Sequence, residues 1–251
     1  MSEPQILAGA EPFFAEKGRV GVLVSHGYTG NPQSMRYLAE GLANAGYTVA
    51  LPRLKGHGTT PADMAASTAS DWIADLEKAC QWLEQRCDTL FMTGLSMGGT
   101  LTLFMAGQFP ERFKGIMPIN AALFVNNPAL ASLAYMSPAP AEVPGVGNDV
   151  KAEGVTELAY PVVPVPTVKE LYALMKVADE MLPRISCPAL IFVSRDDHVV
   201  PPSNAEYIYR KLPHPDKQLI WLENSYHVAT LDNDKDFILR KIDDFIRSHL
   251  Q

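Results

Sequence analysis

Short β-branched and apolar runs alternate along the chain with longer stretches in which apolar positions recur every three or four residues. Runs at 20–25, 47–51, 89–93, 115–119, 189–194 and 218–222 read as strands. Between them Trp72, Leu76, Ala79 and Leu83 repeat at spacings of four, three and four. Near the C-terminus Phe237, Ile238, Ile242, Phe245 and Ile246 line one face. Both patterns predict amphipathic helices. Strands alternating with helices imply a parallel sheet with helical crossovers, and so an α/β domain. No internal repeat is visible.

The alternation breaks between about Ala121 and Leu182. Pro128, Pro138, Pro140, Pro144, Pro161, Pro164 and Pro166 crowd this stretch, and Lys151 is its one basic residue before Val168. Proline at that density removes the hydrogen bonds a core helix or strand needs. The stretch is therefore expected to be an insertion, a flexible or lid-like cap at 121–182 on a core formed by 1–120 and 183–251. Leu123, Phe124, Val125, Leu130, Leu133, Tyr135, Met136 and Val143 follow no clean period, so they are expected to line a surface and not to fill a second core.

Composition narrows the function classes. With 251 residues, 47% of them apolar and 20% charged, the chain is no disordered polymer. It also exceeds a minimal domain, as one large α/β domain with an insertion would. A formal charge of −7 without a Lys/Arg cluster excludes nucleic acid as a partner. Cys80, Cys87 and Cys187 form no Cys-x-x-Cys pair and read as free thiols. Cys80 and Cys87 are expected on a helix that buries them, which leaves no zinc site. Residues 1–18 lack a basic-then-apolar leader, and no run reaches the ~17–25 apolar residues of a membrane span. A cytoplasmic location is the expectation.

The strand at 89–93 runs into Gly94-Leu95-Ser96-Met97-Gly98-Gly99, and a helical pattern at 100–109 follows at once. This is Gly-x-Ser-x-Gly in the strand-turn-helix setting of a nucleophile elbow, in which a strained turn pushes the serine out at the carboxyl end of a sheet. An idle serine in a glycine-rich turn is the bland alternative, and the flanking elements weigh against it. At a helix N-terminus Ser96 also meets a dipole that favours developing negative charge.

A serine hydroxyl needs a base, and the base a carboxylate. The strand at 189–194 ends in Arg195-Asp196-Asp197-His198, and 218–222 leads into Glu223-Asn224-Ser225-Tyr226-His227. Of the six histidines, His227 alone follows the last strand and precedes the final helix, so it is the expected base. His26 and His57 read as local loop contacts, His214 and His249 as surface residues, and His198 precedes the apolar Val199-Val200. Asp196 and Asp197 point different ways on a turn, and the residues alone leave the choice between them open. For the oxyanion, the Met97 N–H is one expected donor, and the Tyr28 N–H in His26-Gly27-Tyr28-Thr29-Gly30 is the other.

These stretches, together with Leu51-Pro52-Arg53-Leu54-Lys55-Gly56-His57-Gly58, Asp197-His198-Val199-Val200-Pro201-Pro202 and Asn224-Ser225-Tyr226-His227-Val228, resemble the α/β-hydrolase superfamily. The similarity is closest to bacterial monoacylglycerol lipases and related small carboxylesterases. The resemblance implies a mostly parallel sheet flanked by helices, with a cap between the strands ending near Asn120 and starting near Ala189. It selects Asp197, since the family's acid stands four residues before the first proline of an Asp-x-Val-Val-Pro pattern. It also makes Glu157, in Glu157-Leu158-Ala159-Tyr160, the counterpart of a cap glutamate that contacts a glycerol head. Tyr28, where phenylalanine is common, and the proline run at 161–166 depart from the family pattern. The implied activity is cleavage of a small lipid ester, a monoacylglycerol above all, through an acyl-enzyme on Ser96, with no metal and no organic cofactor. A short-chain carboxylesterase without glycerol preference and a non-catalytic ligand-binding member of the fold are the alternatives. The apolar cap residues are the expected point of any transient contact with a lipid surface.

Overall fold

The computed structural model describes residues 5–250, so the ends of the expected core segments, 1–4 and 251, lie outside the described residues. In chain order the elements are β1 (Phe13–Ala15), β2 (Val20–Ser25), α1 (Gln33–Asn44), β3 (Thr48–Leu51), α2 (Pro61–Ala65), α3 (Ala69–Glu84), β4 (Thr89–Leu95), α4 (Met97–Gln108) and β5 (Gly115–Ile119). They continue with α5 (Pro128–Leu133), β6 (Glu142–Pro144), β7 (Val162–Pro164), α6 (Pro166–Met181), β8 (Ala189–Ser194), α7 (Ser203–Lys211), β9 (Lys217–Leu222) and α8 (Lys235–Ser248). A seven-stranded sheet runs in the order β1-β3-β2-β4-β5-β8-β9. Its neighbours are parallel except for β1, which pairs antiparallel with β3.

The six strands expected from the sequence are all in this sheet. Strands β3, β5 and β8 are buried at every position, as a parallel sheet covered on both faces requires. Helix α3 starts at a capping box, with the Thr68 hydroxyl accepting from the Asp71 N–H and the Asp71 carboxylate accepting from the Thr68 N–H. It buries Trp72, Leu76, Ala79, Cys80 and Leu83. The helix ends at Glu84, so Cys87 lies beyond it and is half-buried, not on the expected helix face. Helix α8 buries Ile238, Ile242, Phe245 and Ile246 against the other face of the sheet.

Segment 121–182 is more regular than its prolines imply. Strands β6 and β7 form an antiparallel pair, and α6 is a 16-residue helix. The prolines stop at Pro166, which occupies the first turn of α6, where its missing N–H costs nothing. After it Val168, Leu171, Leu174, Met175 and Ala178 repeat at helical spacing and are buried. Leu171, Leu174, Met175 and Ala178 belong to the same apolar cluster as Leu101 and Met105 of α4, so the end of the segment is part of the core packing. Leu123 is buried in that cluster too, whereas Tyr135 is 90% exposed and Met136 49% exposed.

Topology places the site. From β2 the chain passes to β3 on one side and then to β4 on the other, so a crevice opens at the carboxyl ends of β2 and β4. The register sets Ser25 beside Gly94, which brings the turns after both strands together.

Candidate active site

Ser96 sits between β4 and α4 with φ 58° and ψ −120°. This left-handed conformation costs a non-glycine residue about 1–3 kcal/mol and is held by the packing around it. Two glycines make that packing fit. A β-carbon on Gly94 would lie 2.3 Å from the Gly98 carbonyl oxygen, and one on Gly98 would lie 2.3 Å from the Ser25 carbonyl oxygen. Both obstacles are backbone atoms, so Gly98→Ala forces the elbow away from β2. The expected result is a loss of about 1–3 kcal/mol of stability, read by thermal or denaturant unfolding, together with loss of the Ser96 geometry.

The N–H groups expected to serve an oxyanion lie on either side of this contact. Among the described residues neither the Tyr28 nor the Met97 N–H meets a protein acceptor. Met97 opens α4, so its N–H is one of the free donors of a helix N-terminus. The Gly27–Tyr28 peptide is held from behind. The Leu54 N–H donates to His26 Nε2 at 3.1 Å, which leaves Nδ1 as the donor to the Gly27 carbonyl at 3.0 Å. The Tyr28 hydroxyl meets Thr167 Oγ1 at 2.5 Å, and its ring stacks edge-on against Trp72.

The loops after β8 and β9 bring the expected carboxylate and the expected base together. His227 Nδ1 lies 2.7 Å from Asp197 Oδ2, with side chains only 8% and 1% exposed. The other carboxylate oxygen of Asp197 accepts the N–H groups of Val199 at 2.8 Å and Val200 at 2.7 Å. These two bonds fix the orientation of the carboxylate. Asp196 instead faces solvent at 58% exposure, with Lys151 Nζ 3.9 Å away. Burial pulls the His227 imidazole down, but the Asp197 carboxylate, aided by Glu157 and Asp149, outweighs it and holds the ring above its ordinary value of 6.5.

Glu157 reaches the same place from segment 121–182. A β-carbon on Gly30 would come within 2.7 Å of its Oε1, so the carboxyl occupies the room Gly30 leaves. Burial raises its pKa, against the opposing pull of His227 and the Ser34 hydroxyl.

All six expected site residues, Tyr28, Ser96, Met97, Glu157, Asp197 and His227, line one cavity of about 460 Å³. Val125, Leu130, Val163, Leu171 and Met175 give the same cavity an apolar part of its lining. The remaining histidines lie elsewhere or at the rim. His57 is buried beside His26 and Trp72, and burial pushes its imidazole down to about 4. His214 is half-buried in the loop before β9, and His249 meets Asp216 at 3.0 Å. His198 stands at the cavity edge, 2.7 Å from Asp149. Sequence reasoning missed two residues that hold the pair. Asn120, at φ 44°, donates to the His227 carbonyl at 2.7 Å and accepts the Ser194 N–H at 2.8 Å. Asp149 is bonded to the His227 N–H at 3.0 Å. An asparagine just past a strand is the only trace of the first, and Asp149 leaves none.

Sheet order, elbow and loop placement define an α/β-hydrolase. The family described as serine aminopeptidase, S33, matches residues 16–145 and 148–234, and the chain belongs to that family. It is 51% identical over 245 residues to a thermostable monoacylglycerol lipase of Bacillus sp. (strain H-257), covering 97% of each chain. A carboxylesterase of Bacillus subtilis (strain 168) is 28% identical over 237 residues, covering 94% of this chain and 96% of that one. Among solved structures, one from work on the metagenome-derived lipolytic enzymes LipS and LipT superposes with a TM-score of 0.96 at 66% identity, covering 98% of this chain and all of that one. The monoacylglycerol lipase of Paleococcus ferrophilus shares the fold, with a TM-score of 0.79 at 20% identity, over 95% of this chain and 99% of that one.

Proposed function

We propose that this protein hydrolyses carboxylic esters through an acyl-enzyme on Ser96, with monoacylglycerol as its substrate. One observation carries the reading. A strained serine, two N–H donors without an acceptor among the described residues and a buried Asp–His pair line a single cavity together with apolar side chains. With Nδ1 bound to Asp197, the free His227 nitrogen, Nε2, takes the Ser96 proton as Oγ attacks the ester carbonyl carbon. The oxyanion is held by the N–H groups of Tyr28 and Met97. The carbon–oxygen bond to the alcohol then breaks, and His227 returns the proton to the departing oxygen. Water, deprotonated by the same nitrogen, attacks the acyl-enzyme, and the fatty acid leaves as Ser96 regains its proton. The chain supplies nucleophile, base and oxyanion donors, so this chemistry calls for no metal or organic cofactor.

The acyl chain lies along Val125, Leu130, Leu171 and Met175, and the glycerol head meets Glu157. Segment 121–182 acts as the cap in this reading, with α6 as its fixed base. Tyr135, Met136 and Val146 are exposed apolar residues of this cap and its contact with a lipid surface. No helix among the described residues is long and apolar enough to cross a membrane. A cytoplasmic location remains part of the proposal, carried by the three free cysteines.

The relationship to a carboxylesterase supports a second reading, ester hydrolysis without glycerol preference. A panel of glycerol and methyl esters with matched acyl chains separates the two. Under the first reading Glu157→Leu lowers kcat/KM for the glycerol ester by about 10- to 100-fold, the worth of a hydrogen bond to a charged group, and leaves the methyl ester far less affected. Equal losses on both esters would remove Glu157 from head-group recognition and favour the second reading.

A further inference from the structure

Asp149 belongs to segment 121–182 yet touches both loops that present the acid–base pair. Its Oδ2 accepts the His227 N–H at 3.0 Å and the His198 N–H at 3.3 Å, and Oδ1 lies 2.7 Å from His198 Nδ1. Its carbonyl accepts the Val228 N–H at 3.1 Å. Two consecutive N–H groups of the base loop therefore end on one residue, whose carboxylate also holds the neighbour of Asp197. The chain just beyond it is anchored as well. The buried Asp232 carboxylate accepts the N–H groups of Lys151 at 2.7 Å, Ala152 at 2.9 Å and Tyr226 at 2.9 Å. Neither His227 nor Asp197 lies in a helix or strand, so contacts of this kind fix their relative position.

We infer that Asp149 is a positioning residue for the acid–base pair, clamping the His227 loop to the Asp197 loop and holding a negative charge behind the imidazole. This inference rests on the hydrolase reading above. The Asp149 side chain is 14% exposed, so water screens its charge only in part. The charged and titratable groups facing His227 are Asp197 from the loop after β8 and Glu157 and Asp149 from segment 121–182, with His198 behind Asp149. Only neutral imidazole can take the Ser96 proton, so negative charge beside the ring raises the pH below which activity is lost. Removing that charge moves the acid limb of the profile to lower pH.

The test compares wild type, Asp149→Asn and Asp149→Ala, using kcat/KM against pH on a neutral p-nitrophenyl ester and an NMR titration of the His227 ring. Asn keeps an acceptor for the His227 N–H without the charge, and Ala keeps neither. Thermal unfolding establishes that each variant is folded. Asp149→Ala is expected to lower kcat at the plateau by about 10- to 100-fold with little change in KM, the effect of a misplaced catalytic group, and Asp149→Asn to lower it less. Both are expected to shift the acid limb and the His227 titration to lower pH. A plateau in Asp149→Ala within about twofold of wild type would overturn the clamp. An unmoved His227 titration in folded Asp149→Asn would overturn the electrostatic part. If wild type turned over no ester, the hydrolase reading would fail, and the NMR titration would still decide whether Asp149 acts on His227.

Discussion

Ser96→Ala is expected to lower kcat on a p-nitrophenyl acyl ester by on the order of 10⁵- to 10⁶-fold, because removing a triad nucleophile disables the whole relay and not one increment of it. The loss should be chemical and not structural. Ser96 makes no side-chain cap bond to α4, and its N–H and carbonyl bonds, to the Ile119 oxygen and from the Thr100 N–H, belong to the backbone that alanine keeps. The unfolding midpoint should therefore stay close to that of wild type, and the cavity should still bind a non-hydrolysable ester analogue. Turnover at the wild-type rate would remove Ser96 from the mechanism.

Asp197→Asn should cost about 10⁴-fold in kcat, whereas Asp196→Asn should stay within a fewfold. An asparagine at 197 can still accept the Val199 and Val200 N–H groups through its carbonyl, so the loop is kept. Its amide then faces His227 Nδ1 as a donor, the ring must present an acceptor there, and Nε2 carries the proton it is meant to take. Asp196 is exposed, and its 3.9 Å approach to Lys151 is screened by water. Rates from the two variants on one ester check the ranking. The reverse order would make Asp196 the working carboxylate.

The strands were legible because a parallel sheet buried on both faces leaves continuous apolar runs, as at 115–119 and 189–194. Strand β1 escaped notice because three residues at a sheet edge carry no period, and only pairing with β3 makes them a strand. Proline counting concealed α6. The criterion judged 121–182 as one block, although the prolines cease where Val168 and Leu171 begin a helical repeat. Glycine spacing made the elbow legible, since each glycine stands where a β-carbon would strike backbone. Adjacent aspartates have nearly the same local sequence context, so residues alone could not separate Asp196 from Asp197. Their difference is three-dimensional, one turned inward onto two N–H groups and a histidine, the other outward to water. Asp149 is the extreme case. Its bond to the His227 N–H crosses 78 positions of chain, and no local pattern encodes a contact of that range.

Covalent catalysis by Ser96 is read out by treating the protein with a fluorophosphonate and locating the adduct by mass spectrometry of the intact chain and its peptides. The expected result is one phosphonyl group per chain, carried on Ser96, with ester turnover lost in proportion to labelling and no adduct in Ser96→Ala. Labelling at another residue with matching loss of turnover, or full turnover by enzyme labelled at Ser96, would contradict it.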